Sequence, residues 1–154
     1  MRAIVLLFVL VLSAAPAWSG SADEASFEIL RDTIRANKKS LVAASLTLTD
    51  AESDAFWPVY DRYEAELAHV GDRLVKVLNA YTKDYKTLTD DQAKKLSEEY
   101  LSVEEDRASI RRKYFADFTK VLPGKKAARF YQIENKMNAV VRYDLAREIP
   151  VVEE

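Results

Sequence analysis

From Leu48 to Tyr81 the chain reads LTDAESDAFWPVYDRYEAELAHVGDRLVKVLNAY. Its opening, Leu48-Thr49-Asp50-Ala51-Glu52, is a helix start. The threonine hydroxyl accepts from a free backbone N–H of the first turn, and the glutamate three residues later reaches back to the threonine N–H, the reciprocal pair of a capping box. Beyond it, Phe56, Tyr60, Tyr63, Leu67, Val70, Leu74, Val77 and Tyr81 alternate steps of four and three, the spacing of a heptad seam on one helix face. With Tyr60 at position a, Pro58 falls at f. There water satisfies the carbonyl that proline leaves without a donor, and a bend convex toward solvent is expected.

The same pattern returns forty residues on. Leu88-Thr89-Asp90-Asp91-Gln92 repeats the cap, and the shifted seam gives Leu96, Tyr100, Val103, Arg107, Ile110 and Tyr114. The repeat lapses where Arg107 replaces the equivalent of Leu67. It ends at Asp117, after which Phe118 and Val121 carry the apolar stripe to Pro123-Gly124, a helix stop. A further helix carries Phe130, Ile133, Met137, Val140, Val141 and Leu145 and stops before Pro150, leaving residues 150–154 as an extended tail. On the N-terminal side, Phe27, Leu30, Ile34, Leu41 and Leu48 mark a first helix over 23–45, its stripe interrupted at Asn37. With three glycines and four prolines in 154 residues, the elements are few and long. The expected fold is all-α: a single domain over 23–149 with four helices in antiparallel order, two of them long and heptad-patterned.

Arg2 precedes an apolar run from Ala3 to Leu12 and then the small residues Ser13 to Ala17 around Pro16, the layout of a secretory signal peptide. The run is shorter than the roughly 20 residues a membrane span needs. Cleavage fits after Ala17, Ser19 or Ala22, so residues 1–22 are assigned as signal, the destination is the periplasm if the source is bacterial, and no membrane span remains afterwards. An exported chain without cysteine has no disulfides, thiolate metal sites or lipidated cysteine.

Between Asp50 and Asp106 there are fifteen acidic and seven basic residues; from Arg107 to Arg147 there are eleven basic and three acidic. Either the helices neutralise one another on packing, or the basic half is a partner-binding face. The net charge of −2 and a basic cluster, Arg111-Arg112-Lys113, confined to one helical turn do not fit nucleic acid. Glu66 and the only histidine, His69, have the spacing of a di-iron carboxylate helix, but at positions g and c they flank the seam, and the other ligands such a site needs are missing. No phosphate loop, nucleophile elbow or metalloprotease helix is present, so neither catalysis nor a metal nor a cofactor is expected.

Two features exceed what a plain bundle requires. Tyr60, Tyr63, Tyr81, Tyr100 and Tyr114 stand on the seams, which fits either an open groove with wet hydroxyls or a core rim with hydroxyls outward. Arg107, at an a position, either meets a carboxylate of the second helix or lies on an open concave surface.

The full Leu88-Thr89-x-x-Gln92 motif, with its variant Leu48-Thr49-x-x-Glu52, resembles the LTxxQ proteins of the periplasmic Spy and CpxP type, and the likeness extends to the signal peptide and the helical length. That resemblance implies a thin, curved, helical homodimer of the bacterial envelope. Its members act as ATP-independent chaperones, as adaptors that restrain an inner-membrane sensor kinase, or as metal-resistance proteins and sensors; histidine-rich segments of the metal branch are absent. The motif residues Leu48, Thr49, Glu52, Leu88, Thr89 and Gln92 are read as caps and staples that hold the shape. The expected contact surface for partly folded envelope proteins or a receptor is Tyr100, Arg107, Arg111, Arg112 and Tyr114. A purely structural bundle is the remaining reading.

Overall fold

The computed structural model describes residues 36–152. The assigned signal peptide with its cleavage positions, residues 23–35 of the first helix and Glu153–Glu154 lie outside the described residues. Every regular element among the described residues is an α-helix: α1 over 36–45, α2 over Asp50–Asp84, α3 over Asp90–Val121 and α4 over Gly124–Glu148. From Lys38 on, the chain forms one compact unit.

Both expected caps are formed. The Thr49 N–H donates to Glu52 Oε2 at 2.8 Å and the Glu52 N–H to Thr49 Oγ1 at 3.3 Å; the Thr89 N–H donates to Gln92 Oε1 at 2.9 Å and the Gln92 N–H to Thr89 Oγ1 at 3.3 Å. The staple assigned to Leu48 does not form, because the residue it would grip, four into the helix, is the polar Ser53, which instead accepts from Trp57 Nε1 at 3.0 Å. Leu48 packs on the core. Prolines set the other boundaries. Leu122 and Ile149, each ahead of a proline, adopt extended backbone and end α3 and α4, while the Pro123 carbonyl accepts from the Lys126 and Ala127 N–H groups to open α4. Pro58 is exposed within α2. Thr89→Ala removes an acceptor that nothing nearby replaces and is expected to lower stability by about 1 kcal/mol in urea unfolding followed by circular dichroism.

All eight seam residues of α2 are buried or half-buried. Pairings rise along α2 as they fall along α3: Phe56 with Phe118, Tyr63 with Tyr114, Glu66 with Lys113, and Arg73 with Asp106 and Glu99. The core gathers at one end, where Phe56, Tyr60, Tyr63, Tyr114, Phe118 and Phe130 close on one another beneath Val42 and Leu46. Their rings meet edge-on or tilted, Phe118 and Phe130 at 4.5 Å between centroids, the geometry that ring quadrupoles favour. Farther along α2 and α3 the buried residues thin to Val70, Val77 and Val103.

The seam tyrosines of the core are therefore dry, contrary to an open-groove reading. Tyr60, Tyr63 and Tyr114 are between 0% and 3% exposed. Two of their hydroxyls are satisfied by carboxylates instead of water: Tyr63 donates to Glu134 Oε2 at 3.0 Å and Tyr114 to Glu66 Oε1 at 2.7 Å. Desolvation, reinforced by those carboxylates, raises both phenols, Tyr114 to about 12, so both stay protonated donors at neutral pH.

Glu134 is fully buried on α4. Besides the Tyr63 hydroxyl it faces Lys38 Nζ, 2.9 Å from Oε1 as a charge contact rather than a well-directed hydrogen bond, and the same ammonium donates to Glu64 Oε1 at 2.6 Å. A lysine between two glutamates thus ties α1, α2 and α4 together inside the aromatic end.

Candidate functional site

Sequence opposites meet across the helices. Lys113 donates to Glu66 at 2.7 Å, Lys126 bonds the capping residue Glu52, and Arg142 bonds Glu104. Each joins the basic half of the chain to the acidic half, so much of the charge asymmetry is consumed by packing. Glu52 and Glu66 are held below the usual carboxylate range, first by the hydrogen bonds from Lys126 and Lys113 respectively. Glu66 is thereby occupied, its neighbour His69 is exposed, and no group of three potential metal ligands exists among the described residues.

The five residues expected to form one contact surface are divided by the structure. Tyr114 is withdrawn from it: as a seam residue of the fully covered end it lies in the core, its hydroxyl bonded to Glu66. Arg107 is half-buried and meets neither a carboxylate of α2 nor open solvent. Its guanidinium lies 3.9 Å from Glu104 one turn earlier on its own helix, a carboxylate it shares with Arg142. Tyr100, 42% exposed, lies on the half of the seam that the aromatic core does not reach.

Arg111 and Arg112 remain together. They line a cleft of about 330 Å³ with Ala108, Phe115 and Tyr131. Positions 108, 111, 112 and 115 form one stripe of α3, and Tyr131 reaches it from α4. The Tyr131 ring stands edge-on to Phe115 at 5.1 Å, and the Arg111 guanidinium lies 5.7 Å from its centroid, a cation–π contact. The Tyr131 hydroxyl donates to the Arg111 carbonyl, fixing the ring against the backbone of α3, and burial pushes that phenol up to about 12. Phe115 is 44% exposed. Among the described residues neither arginine has a carboxylate partner, and the shielded Nε of Arg111 has no hydrogen-bond partner.

Two cations left unneutralised beside two exposed or half-exposed rings can hold a carboxylate and an apolar side chain at once. Phe115 and Tyr131 were absent from the sequence-derived surface. Phe115 stands one residue off the seam, and its step of four from Arg111 is the signal that associates them; the approach of Tyr131 is a tertiary fact with no local trace.

Leu88 is half-buried, and Thr49, Thr89 and Gln92 point their polar atoms into their own first turns. No helix among the described residues is long and apolar enough to cross a membrane. No family model matches the chain, and neither the curated proteins nor the solved structures show a significant similarity to it.

Proposed function

We propose that the protein is a non-enzymatic, ATP-independent, chaperone-like binding protein of the bacterial envelope, exported by its N-terminal signal, that holds unfolded or partly folded envelope proteins. The observation that carries this reading is the cleft of Arg111, Arg112, Phe115 and Tyr131, where cations without a carboxylate partner among the described residues adjoin aromatic rings. Long-range attraction hastens encounter with acidic segments, and aromatic contact of loose geometry tolerates many sequences. The paired Thr-x-x-Glu/Gln caps and the signal-like N-terminus support the same reading through their resemblance to LTxxQ proteins. In it, the antiparallel heptad-patterned pair α2–α3 belongs to a thin, curved homodimer with no cofactor.

At equimolar dose the unaltered chain is expected to slow aggregation of a reduced, unfolding client followed by light scattering. Arg111→Glu with Arg112→Glu is expected to reduce association with an acidic client about tenfold at low salt, with unchanged helical circular dichroism. An unaltered chain without effect on aggregation overturns the proposal.

One observation favours a second reading, an adaptor docking on an inner-membrane receptor: the two free arginines share a single small cleft rather than a broad surface. If a single charge reversal at Arg111 or Arg112 abolishes envelope signalling while client aggregation is still slowed, the adaptor is supported.

A further inference from the structure

Beyond the aromatic core, toward the connection between α2 and α3, an apolar groove of about 530 Å³ opens. Val77, Tyr81, Leu96, Tyr100 and Leu101 wall it on the helices, and the C-terminal stretch from Ile149 to Val152 borders the remaining side. Its volume is within the ~300–1,000 Å³ of ordinary ligand pockets. That third border is itself a stretch of peptide outside any helix. Ile149 leaves α4 with φ −86° and ψ 117°, and the Tyr81 hydroxyl donates to the Pro150 carbonyl at 2.6 Å.

The fit is incomplete on both sides. Val151 is 86% exposed and Val152 44%, so the valines leave much apolar surface unused; on the helices Tyr100 and Leu101 are 42% and 60% exposed. Among the described residues the Tyr81 bond is the one side-chain hydrogen bond that holds the tail.

We infer that this groove is a binding site for an extended apolar peptide segment and that residues 149–152, seated along its Tyr81 side, are a strap that an incoming segment displaces. The acceptor that Tyr81 uses, a backbone carbonyl, is present in every residue of every peptide. The bond therefore fixes an extended backbone without choosing its sequence, while the walls select aliphatic side chains. A hydrocarbon chain offers no such acceptor along its length. Tethering gives the strap a high effective concentration, so a competing segment binds only those molecules whose strap is out, and its apparent affinity falls by that fraction. The inference rests on the reading of the chain as a holder of unfolded segments and adds a second, apolar seat apart from the arginine cleft.

The test is fluorescence anisotropy with a labelled nonapeptide of the chain's own residues 146–154, AREIPVVEE, titrated with the full chain. Pro150→Gly/Val151→Ser/Val152→Ser is expected to bind the peptide about tenfold more tightly than the unaltered chain. Adding Leu101→Glu, on an exposed wall remote from the aromatic core, is expected to abolish binding with circular dichroism unchanged. Equal affinity of the unaltered and strap-substituted chains, or binding that survives Leu101→Glu, overturns the inference. Uptake of a labelled dodecanoate in place of the peptide also overturns it, in favour of an acyl site. Arg111→Glu/Arg112→Glu in the strap-substituted chain leaves peptide binding intact. A chain that binds the peptide yet does not slow aggregation refutes the proposed function and spares the groove.

Discussion

Lys38→Met is expected to lower the free energy of unfolding by about 3–5 kcal/mol, measured as a fall in the urea midpoint at unchanged slope. The reason is the company Lys38 keeps. Glu134 is fully buried, and the ammonium 2.9 Å from it is the cation that makes its charge tolerable there; Tyr63, the other neighbour, supplies only a neutral hydroxyl. Methionine retains most of the lysine stem and its packing, so the loss isolates the charge. Most of it is expected to return in Lys38→Met/Glu134→Gln, because the glutamine oxygen still accepts from Tyr63 and no buried charge is left on α4. If the double variant is as unstable as the single one, the ion pair is not the cause.

Phe118→Ala is expected to cost about 3–5 kcal/mol as well, by cavity formation. Phe118 is 0% exposed, with ring centroids of Phe130, Phe56 and Tyr63 at 4.5, 5.3 and 5.6 Å. These neighbours come from α2 and α4, so collapse around the void requires two helices to shift together. Domains of this size are stable by roughly 5–15 kcal/mol, so the loss removes a large part of the total. The thermal midpoint should drop by about 10 °C or more in a scan followed at 222 nm. Tyr100→Ala, on the apolar stripe of the same helix but 42% exposed, should move it far less.

That contrast marks how far the sequence could be read. Capping is decided within four residues, so Thr49 with Glu52 and Thr89 with Gln92 were fully legible, as was the apolar face of α2. The balance of charge was legible in sign, though its partners, such as Lys126 on Glu52, were not. Tyr100 and Tyr114 occupy matching seam positions yet differ in burial, because Val42, Leu46 and Phe130 close the core around Tyr114, whereas only the end of α4 and the stretch after it border Tyr100. No periodicity carries that information. Glu134 left a trace that went unread: a step of four from Phe130 and three from Met137 sets it on the apolar face of its helix. Of the contact surface, Arg111 and Arg112 were legible as a basic turn; the ring of Tyr131 that makes a cleft of them arrives from twenty residues away.

The two helix starts, alike in sequence, also differ in when they are completed. Thr89 and Gln92 satisfy each other with nothing from beyond their own turn, so that start closes at minimal loop-closure entropy. Glu52 answers to Thr49 but also to Lys126, 74 residues along the chain, and so the first start reaches its final form only when α4 docks. The second copy can therefore close on its own, whereas the first carries one contact that depends on the docking of α4.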